Sequence, residues 1–381
     1  MLMLPRILVS LAVLLPCVMP AQPRTQPAAT HKQVIAYIFP RDRVLQPQQV
    51  DGAKLTRINY AFANIADGKV VEGFPHDADN YAALRQVRQQ HPGLQLLVSV
   101  GGWSWSKNFS DVALTEAGRQ RFVDSAIAFV QKYDLDGVDI DWEYPGLVGD
   151  NNPHRPEDRE NYTRLLRALR VRLDAEGRQK HRPLYLSVAA NGTQDFIDHT
   201  ELSAVAQLLD SVNLMAYDMA GYASPTGHHA ALYANPLGPA HVSADDYVRA
   251  YLRAGVPASK IVLGIPFYGK GWTKVPAERN GLFDPGTPAP NLELGYGAIT
   301  STMLKPGSGY QRFWDDAAKV PYLYNAAQKT WIDYEDAESI QYKAQYVREQ
   351  HLGGVMFWEY SHDPSGTLLK AIQEGLAADA K

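Results

Sequence analysis

Short apolar runs alternate along the chain with longer segments in which apolar residues recur every three or four positions. The short runs are rich in Val, Ile and Tyr, which favours β-strands, and the longer spacing is typical of helices that bury one face. Eight runs are predicted as strands or strand-bearing stretches: 33–39, 57–65, 94–100, 135–146, 184–190, 211–217, 261–269 and 354–360.

Helical spacing predicts five longer helices between or after these strands. In one of them Phe122, Ala126 and Phe129 fall on a single face. Eight strand–helix units in series predict an α/β fold, a (β/α)8 TIM barrel with its active site at the carboxyl ends of the strands. An open doubly wound sheet is the alternative, but no glycine-rich phosphate loop follows the first strand. The predicted helices are 79–90, 116–133, 157–175, 336–350 and 366–376.

The interval between the seventh and eighth predicted strands is anomalous, at roughly eighty residues. It is rich in Gly, Pro and aromatic residues, and the aromatics favour a packed unit over a disordered loop. We therefore predict a small α+β insertion subdomain at 271–335 within a catalytic domain that spans 32–381. The aromatic and aliphatic residues behind this prediction are Trp314, Tyr322, Tyr324, Trp331 and Ile332.

The N-terminal stretch predicts export. Arg6 precedes an apolar run over 7–19, which is too short to cross a bilayer comfortably, so a signal peptide at 1–21 is favoured over a retained anchor. Residues 22–31 are predicted to be a disordered lead-in. We expect a secreted or periplasmic protein without a membrane anchor once the signal is removed.

Composition narrows the possible partners of the chain. The formal net charge of −4 and a pI near 6.3 give no reason to expect nucleic acid. The 7 Trp and 21 Tyr suit sugar binding, because flat rings stack on sugar faces, but they also suit an ordinary core.

The stretch 135–146 carries acids at every second position. Because successive strand side chains alternate between faces, Asp139, Asp141 and Glu143 share one face, with neighbours about 7 Å apart. Three crowded acids cannot all ionise cheaply, so at least one should keep a proton near neutral pH. A carboxyl that keeps its proton is suited to general acid catalysis.

Two other interpretations of this row stay open. A solvated sheet face would turn the acids to water, although alternating strands and helices favour a sheet covered on both faces. A calcium loop would need polar residues at every other position, then a Gly and a later Glu. Bulky apolar residues fill the intervening positions here, so no metal is expected.

Several other predicted strands end in aromatic or acidic residues. Gly101 and Gly102 allow a tight turn after the third strand, and Trp103 and Trp105 follow it. Tyr217 and Asp218 close the sixth strand, and Trp358 lies on the eighth. A lone Trp or Tyr is more often core than ligand, but three such strand ends beside an acid row bring the core and ligand interpretations closer to even.

Taken together, these stretches resemble the family 18 glycoside hydrolases, the chitinase family. DGVDIDWE (136–143) matches the family signature D-G-x-D-x-D-x-E at every defined position, and SVGG, MAYD and FWEY match secondary motifs in order. The resemblance runs from about Gln33 to the C-terminus. FYGKGW and the long insertion are similar to the bacterial branch with an extra α+β subdomain.

The resemblance implies a mechanism in which the substrate supplies its own nucleophile, an exception to the two-carboxylate scheme. Glu143 would protonate the glycosidic oxygen, and the N-acetyl carbonyl oxygen would attack the anomeric carbon. Asp141 would orient the acetamido group, Asp139 would share a proton with Asp141, and Tyr217 would hydrogen-bond the acetamido carbonyl. Neither a metal nor a cofactor is required.

The same resemblance implies the residues that bind the sugar. Asp218 would contact it, Trp358 would form the hydrophobic floor beneath it, and Trp103 would stack on the leaving-group side. Tyr37 and Phe62 are also assigned to substrate binding, with packing inside the barrel or support for the acid row as the alternatives. Tyr144, Met215 and Gly102 are also assigned to the substrate-binding site.

A 2-acetamido sugar is therefore the expected substrate unit, as in chitin or chito-oligosaccharides, and we expect a monomer. Endo and exo action stay open. The alternatives are an endo-β-N-acetylglucosaminidase acting on N-glycans and a non-catalytic chitin-binding lectin, which would lack the terminal acid. His228 and His229 form a pair without a third ligand and are interpreted as part of a polar loop.

Overall fold

The computed structural model describes residues 32–238, 242–292 and 294–378. The expected signal peptide at 1–21 and lead-in at 22–31 lie outside these residues. Within the described ranges, no helix is both long enough and apolar enough to cross a bilayer.

Eight parallel strands close into a barrel because the first strand pairs with both the second and the last. This confirms the predicted barrel. The barrel consists of β1, β2, β4 to β8 and β14, and β3 pairs antiparallel with the end of β2. The strands are β1 (Gln33–Ile38), β2 (Arg57–Ala66), β3 (Lys69–Val71), β4 (Gln95–Gly101), β5 (Gly137–Asp141), β6 (Tyr185–Asn191), β7 (Ser211–Met215), β8 (Ile261–Pro266), β9 (Lys270–Thr273), β10 (Thr287–Pro288), β11 (Gln311–Asp315), β12 (Val320–Asn325), β13 (Thr330–Asp333) and β14 (Gly354–Trp358).

The helices pack against the outer face of the barrel, and the five predicted ones lie within a few residues of their expected limits, except that the one predicted at 157–175 continues to Lys180. Short helices and turns that the apolar spacing did not predict lie between them, because ten residues or fewer carry too few turns for a clear pattern. The helices are α1 (Asp77–Gln90), α2 (Phe109–Leu114), α3 (Glu116–Tyr133), α4 (Asp158–Lys180), α5 (Gln194–Asp198), α6 (Leu202–Leu208), α7 (Ala244–Arg253), α8 (Tyr296–Ala298), α9 (Ala337–Glu349) and α10 (Thr367–Ala377).

Alternation along the strands separates the two sides of the barrel wall. On β5, Val138 and Ile140 join the core between strands and helices, whereas Asp139 and Asp141 point the other way. The strand ends at Asp141, two residues before Glu143. Trp142 continues the outward file and stacks on Phe109 of α2, with ring centroids 5.3 Å apart.

The barrel interior is polar beneath the carboxyl ends of the strands. Arg57 is buried there and donates hydrogen bonds to Gln95 Oε1 (2.9 Å) and Ser211 Oγ (2.8 Å). Strand register aligns Ser99, Asp139 and Ser187 in one layer above it. Because buried polar groups need partners, this layer fixes the depth at which the acid row begins.

A five-stranded antiparallel sheet lies in the chain between β8 and β14, with strand order β10-β9-β13-β12-β11. Its small core consists of Trp272, Val275, Tyr322, Tyr324 and Trp331. We call it the insertion sheet. It packs on the loop after β7, where Trp272 Nε1 donates a hydrogen bond of 2.9 Å to the carbonyl oxygen of Ala223.

Candidate active site

A cleft of about 970 Å³ opens at the carboxyl ends of the barrel strands. Of the residues assigned to the site from the sequence, Asp139 and Gly102 lie outside its lining, below the floor and in the turn after β4. The other ten line the cleft: Tyr37, Phe62, Trp103, Asp141, Glu143, Tyr144, Met215, Tyr217, Asp218 and Trp358.

Asp139 is fully buried under the cleft and accepts four hydrogen bonds. Its Oδ2 accepts from Ser99 Oγ (2.7 Å) and Tyr37 OH (2.9 Å), and its Oδ1 accepts from Ser187 Oγ (2.6 Å) and Asn213 Nδ2 (3.1 Å). Burial raises its pKa, although the bonds from Ser187, Ser99 and Tyr37 oppose the rise. A carboxylate that accepts four hydrogen bonds has a fixed position, so Asp139 is a rigid support beneath the acid row.

Asp141 and Glu143 are held by the turn that follows β4. The backbone nitrogen of Gly102 donates to the carbonyl oxygen of Asp141 (2.8 Å). Ser106 Oγ donates to the same oxygen (3.0 Å) and accepts from the backbone nitrogen of Glu143 (2.9 Å). Asn152 Nδ2 donates to the carbonyl oxygen of Glu143. These contacts orient both carboxyl groups from behind, through the backbone.

Gly102 has a structural role in this turn. Its φ is +79°, in the left-handed region that favours glycine, and a Cβ there would lie 2.7 Å from the ring of Phe62. The close approach lets Phe62 reach the floor of the cleft. Gly102 therefore shapes the site without lining it.

The two acids at the floor titrate as a pair. Burial raises the pKa of Glu143 to about 7, while a hydrogen bond with Tyr144 opposes the rise and the charge of Asp218 adds to it. Burial, together with the charges of Glu143 and Asp139, raises the pKa of Asp141 well above its ordinary value. Asp141 Oδ1 is buried and makes no hydrogen bond to the described residues. Both shifts favour retention of a proton by the pair near neutral pH.

This electrostatic arrangement predicts a late alkaline limb in the pH profile. The family resemblance implies that Glu143 is the general acid, and a general acid works while it is protonated. We therefore expect activity to be lost as the pH rises through about 7, rather than through 4.5, the ordinary pKa of Glu. Each further pH unit should then lower kcat/KM about tenfold. Initial rates on a soluble chito-oligosaccharide between pH 4 and 10 measure this limb. An alkaline limb near pH 4.5 would contradict the assignment of the acid.

Tyr217 and Tyr144 flank the acids with phenolic hydroxyls. Burial raises the pKa of Tyr217 well above its ordinary value, so its hydroxyl stays a hydrogen-bond donor at any working pH. Tyr144 OH accepts a hydrogen bond of 3.2 Å from Asn191 Nδ2, and its ring packs edge-on against Trp103.

An aromatic surface forms one part of the cleft around Trp358. Its ring stacks on Phe62 (5.4 Å between centroids, 20° between planes) and also contacts Phe39 (5.5 Å) and Tyr37 (5.9 Å). Phe74 and Trp105 form a further pair, 4.9 Å apart. Flat rings of this kind suit the apolar faces of sugars. Trp103, by contrast, is 51% exposed at the mouth of the cleft.

The sequence analysis missed some residues that line the cleft and did not predict the burial of a histidine pair. Phe39, Asn191 and Tyr268 lie at or just beyond strand ends, so the rule that strand ends supply the site could have found them. Ser106 carried no such signal. His228 and His229 do lie on a loop with polar neighbours, as interpreted from the sequence, but both are buried against the insertion sheet. The described residues contain no group of three or more His, Cys, Asp or Glu side chains that could hold a metal.

Comparisons with known proteins agree with this geometry. The model of the Glycosyl hydrolases family 18 matches residues 33–363. Chitinase A1 of Niallia circulans is 36% identical over 435 aligned positions, which cover 96% of this chain but only 62% of that protein. A solved chitinase from Bacillus thuringiensis superimposes with a TM-score of 0.87 at 32% identity, covering 92% of this chain and 70% of that one.

A second solved structure is similar over its whole length. It is a family 18 N-acetylglucosaminidase from Paenibacillus barengoltzii, with a TM-score of 0.82 and 39% identity. The match covers 91% of this chain and 100% of that chain.

Proposed function

Because the chain belongs to family 18 of the glycosyl hydrolases, we propose that it hydrolyses β-1,4-linked N-acetylglucosamine chains as a retaining, chitinase-type enzyme. The observation that carries this proposal is the pair of buried acids with raised pKa values, Asp141 and Glu143, on the floor of an aromatic cleft. A protonated carboxyl beside a sugar-binding surface is suited to glycosidic bond cleavage.

The first chemical step uses the proton on Glu143. Glu143 donates it to the glycosidic oxygen as the bond from that oxygen to the anomeric carbon breaks. The carbonyl oxygen of the substrate's 2-acetamido group attacks the anomeric carbon from the opposite face and forms a cyclic oxazolinium ion. Glu143, now a carboxylate, then takes a proton from water, and the water opens the ring with net retention.

Asp141 and Tyr217 act on the acetamido group in this proposal. Asp141 Oδ1, buried without a hydrogen bond to the described residues, accepts from the acetamido N–H and offsets the positive charge that develops. The Tyr217 hydroxyl donates to the acetamido carbonyl oxygen and turns it toward the anomeric carbon. Asp139, fixed by four donors, would tune the charge of Asp141 by sharing a proton with it. Its charge adds to burial and to the charge of Glu143 in raising the pKa of Asp141.

The remaining residues bind the sugar chain. Trp358 lies under the sugar that reacts, Asp218 contacts that sugar from the loop after β7, and Trp103 stacks on the leaving-group side. Tyr37, Phe62, Met215 and Tyr144 complete the surface around the reacting sugar. The rival lectin function fits less well because Glu143 is present.

An N-acetylglucosaminidase acting on short oligomers is the second candidate. The solved N-acetylglucosaminidase that matches over its full length favours it. Such an enzyme and an endo-acting chitinase share the chemistry above and differ in where they cut the chain.

Product analysis on a defined N-acetylglucosamine hexamer tests both candidates. Internal cleavage gives dimers, trimers and tetramers early, whereas removal of single units gives a monomer and a pentamer. Fully deacetylated chitosan should release no sugar above background, since it has no acetamido group to attack. Rapid hydrolysis of that chitosan would contradict the mechanism, and release of glycans from an N-glycoprotein but not from chitin would favour the endo-β-N-acetylglucosaminidase alternative.

Export of a monomeric enzyme remains part of this proposal. An insoluble polymer cannot enter a cell, which agrees with the signal peptide expected at 1–21. Mass spectrometry of the mature N-terminus after expression of the full chain tests removal of the signal peptide. The mass of the protein in solution tests whether it is a monomer.

A further inference from the structure

Five alternating carboxylates and imidazoles run from the cleft into the insertion sheet. In order they are Asp218, His229, Asp333, His228 and Asp315. Asp218 and the two histidines lie on the loop after β7, Asp333 ends β13 and Asp315 ends β11. We call this set the Asp–His chain.

The outer end of the Asp–His chain is a buried ion cluster. His228 Nδ1 lies 2.6 Å from Asp333 Oδ1, and its Nε2 lies 3.1 Å from Asp315 Oδ2. Burial would lower the pKa of His228, but the two carboxylates raise it to about 9. With both ring nitrogens donating, His228 ties the loop to two strands of the insertion sheet.

The inner end is organised by His229, whose side chain is fully buried. Its backbone nitrogen donates to Asp333 Oδ2 (2.6 Å), and its carbonyl oxygen accepts from the backbone nitrogen of Met219 (3.0 Å). Its ring packs against Tyr268, with 5.3 Å between centroids. Its Nδ1 lies 3.6 Å from Asp218 Oδ1 and its Nε2 lies 3.9 Å from Asp333 Oδ2, so the ring lies between two carboxylates at ion-pair distance. Neither ring nitrogen makes a hydrogen bond to the described residues.

Asp218 has a left-handed backbone conformation and a carboxylate with several neighbours. Its φ is +60°, in the region that Asp adopts more readily than most residues with a Cβ. Its Oδ1 accepts from Tyr268 OH (2.8 Å) and lies 3.0 Å from Lys270 Nζ. His229 approaches the same oxygen from the buried side, and the hydrogen bond from Met219 to His229 closes the loop behind it.

We propose that His229 is a positioning residue that holds the carboxylate of Asp218 at the rim of the cleft and takes its own place from Asp333. The insertion sheet would thereby set the position of a group that contacts the substrate. This inference rests on the proposed function, in which Asp218 contacts the reacting sugar.

The charged and titratable groups around His229 come from three elements. Asp218 lies on its own loop, Asp333 on β13 and Tyr268 after β8, while Lys270 on β9 reaches it only through Asp218. Burial would raise the pKa of Asp218, but His229 and Lys270 hold that pKa well below its usual range. Loss of the imidazole should let the pKa of Asp218 rise, so that Asp218 becomes protonated at a higher pH.

A double-mutant cycle on the full chain tests the inference. In the wild-type background, His229→Asn should lower kcat/KM on the N-acetylglucosamine hexamer about tenfold, mainly by raising KM. It should also move the acid limb of the pH profile, the range over which activity falls as the pH is lowered, to higher pH. In an Asp218→Asn background the same change should have less than about a twofold effect, because its target is already altered. His351→Asn, at an exposed left-handed position beyond α9, is the matched control and should leave activity unchanged.

Three results would overturn the inference: an equal loss in both backgrounds, no loss in the wild-type background, or an acid limb that does not move. If circular dichroism shows that the His229→Asn variant does not fold, His229→Gln replaces it in the same cycle with the same criteria. A wild-type protein that cleaves no acetamido sugar would instead refute the proposed function. The two failures are therefore distinct.

Discussion

Glu143→Gln is expected to lower kcat by about 10²–10⁴-fold on any chito-oligosaccharide, the usual range for loss of a positioned general acid. The amide has nearly the shape of the carboxyl but no proton to give to the leaving oxygen. KM should change little, since the aromatic surface and Asp218, which we propose bind the sugar, are unchanged in this variant.

The fold of this variant should survive. A buried carboxyl with a raised pKa opposes folding once the pH rises above the pKa that the group has in the unfolded chain. Above that pH the folded protein must either keep the group protonated or hold its ionised form out of water. The Glu143→Gln variant loses that penalty, so its thermal midpoint at pH 8 should equal or exceed that of the wild type. Glu116→Gln, on the exposed first turn of α3, is the matched control and should keep full activity. Near wild-type turnover in the Glu143→Gln variant would mean that another group donates the proton.

Asp141→Asn is expected to reduce kcat by about 10²–10³-fold, with a smaller change in KM. Burial and the charges of Glu143 and Asp139 favour the neutral form of Asp141 in the free enzyme. The positive charge of the oxazolinium ion favours its ionised form, so the loss of this carboxyl falls on the transition state rather than on ground-state binding. Separate kcat and KM values on the hexamer measure the split.

The control for this change is Asp67→Asn, at an exposed left-handed position in the turn between β2 and β3, where Asn is equally tolerated. That control should behave as wild type. An Asp141→Asn variant with normal kcat and a raised KM would place the role of Asp141 in simple substrate binding.

Patterns within short stretches of the sequence predicted most of the fold and the acids at the centre of the candidate site. Eight apolar runs and the helices between them predict the barrel, because each strand–helix unit is recognisable within its own residues. The row Asp139, Asp141 and Glu143 is equally local, since the alternation of β5 puts Asp139 and Asp141 on one side and Glu143 follows two residues after the strand ends.

Long-range partners could not be predicted in this way. The hydrogen bonds of Asp139 come from strands up to 102 residues away, and the contact between His228 and Asp333 joins residues 105 apart. Nothing near either residue in the sequence marks its partner. The sequence therefore indicated only a polar loop at His228 and His229, and their burial by the insertion sheet could not be predicted from it.

The file of Val138, Ile140 and Trp142 on the back of the acid row has a practical consequence. Each acid is one peptide bond away from a residue that is packed in the layer between the barrel and the helices. A change in the packing of α2 or α3 would therefore also shift the reactive carboxyl groups. Attempts to adapt this protein to cold or heat are better directed at the solvent-facing positions of the surface helices than at Phe109 and its neighbours. Evolution in the laboratory should find its neutral changes there first.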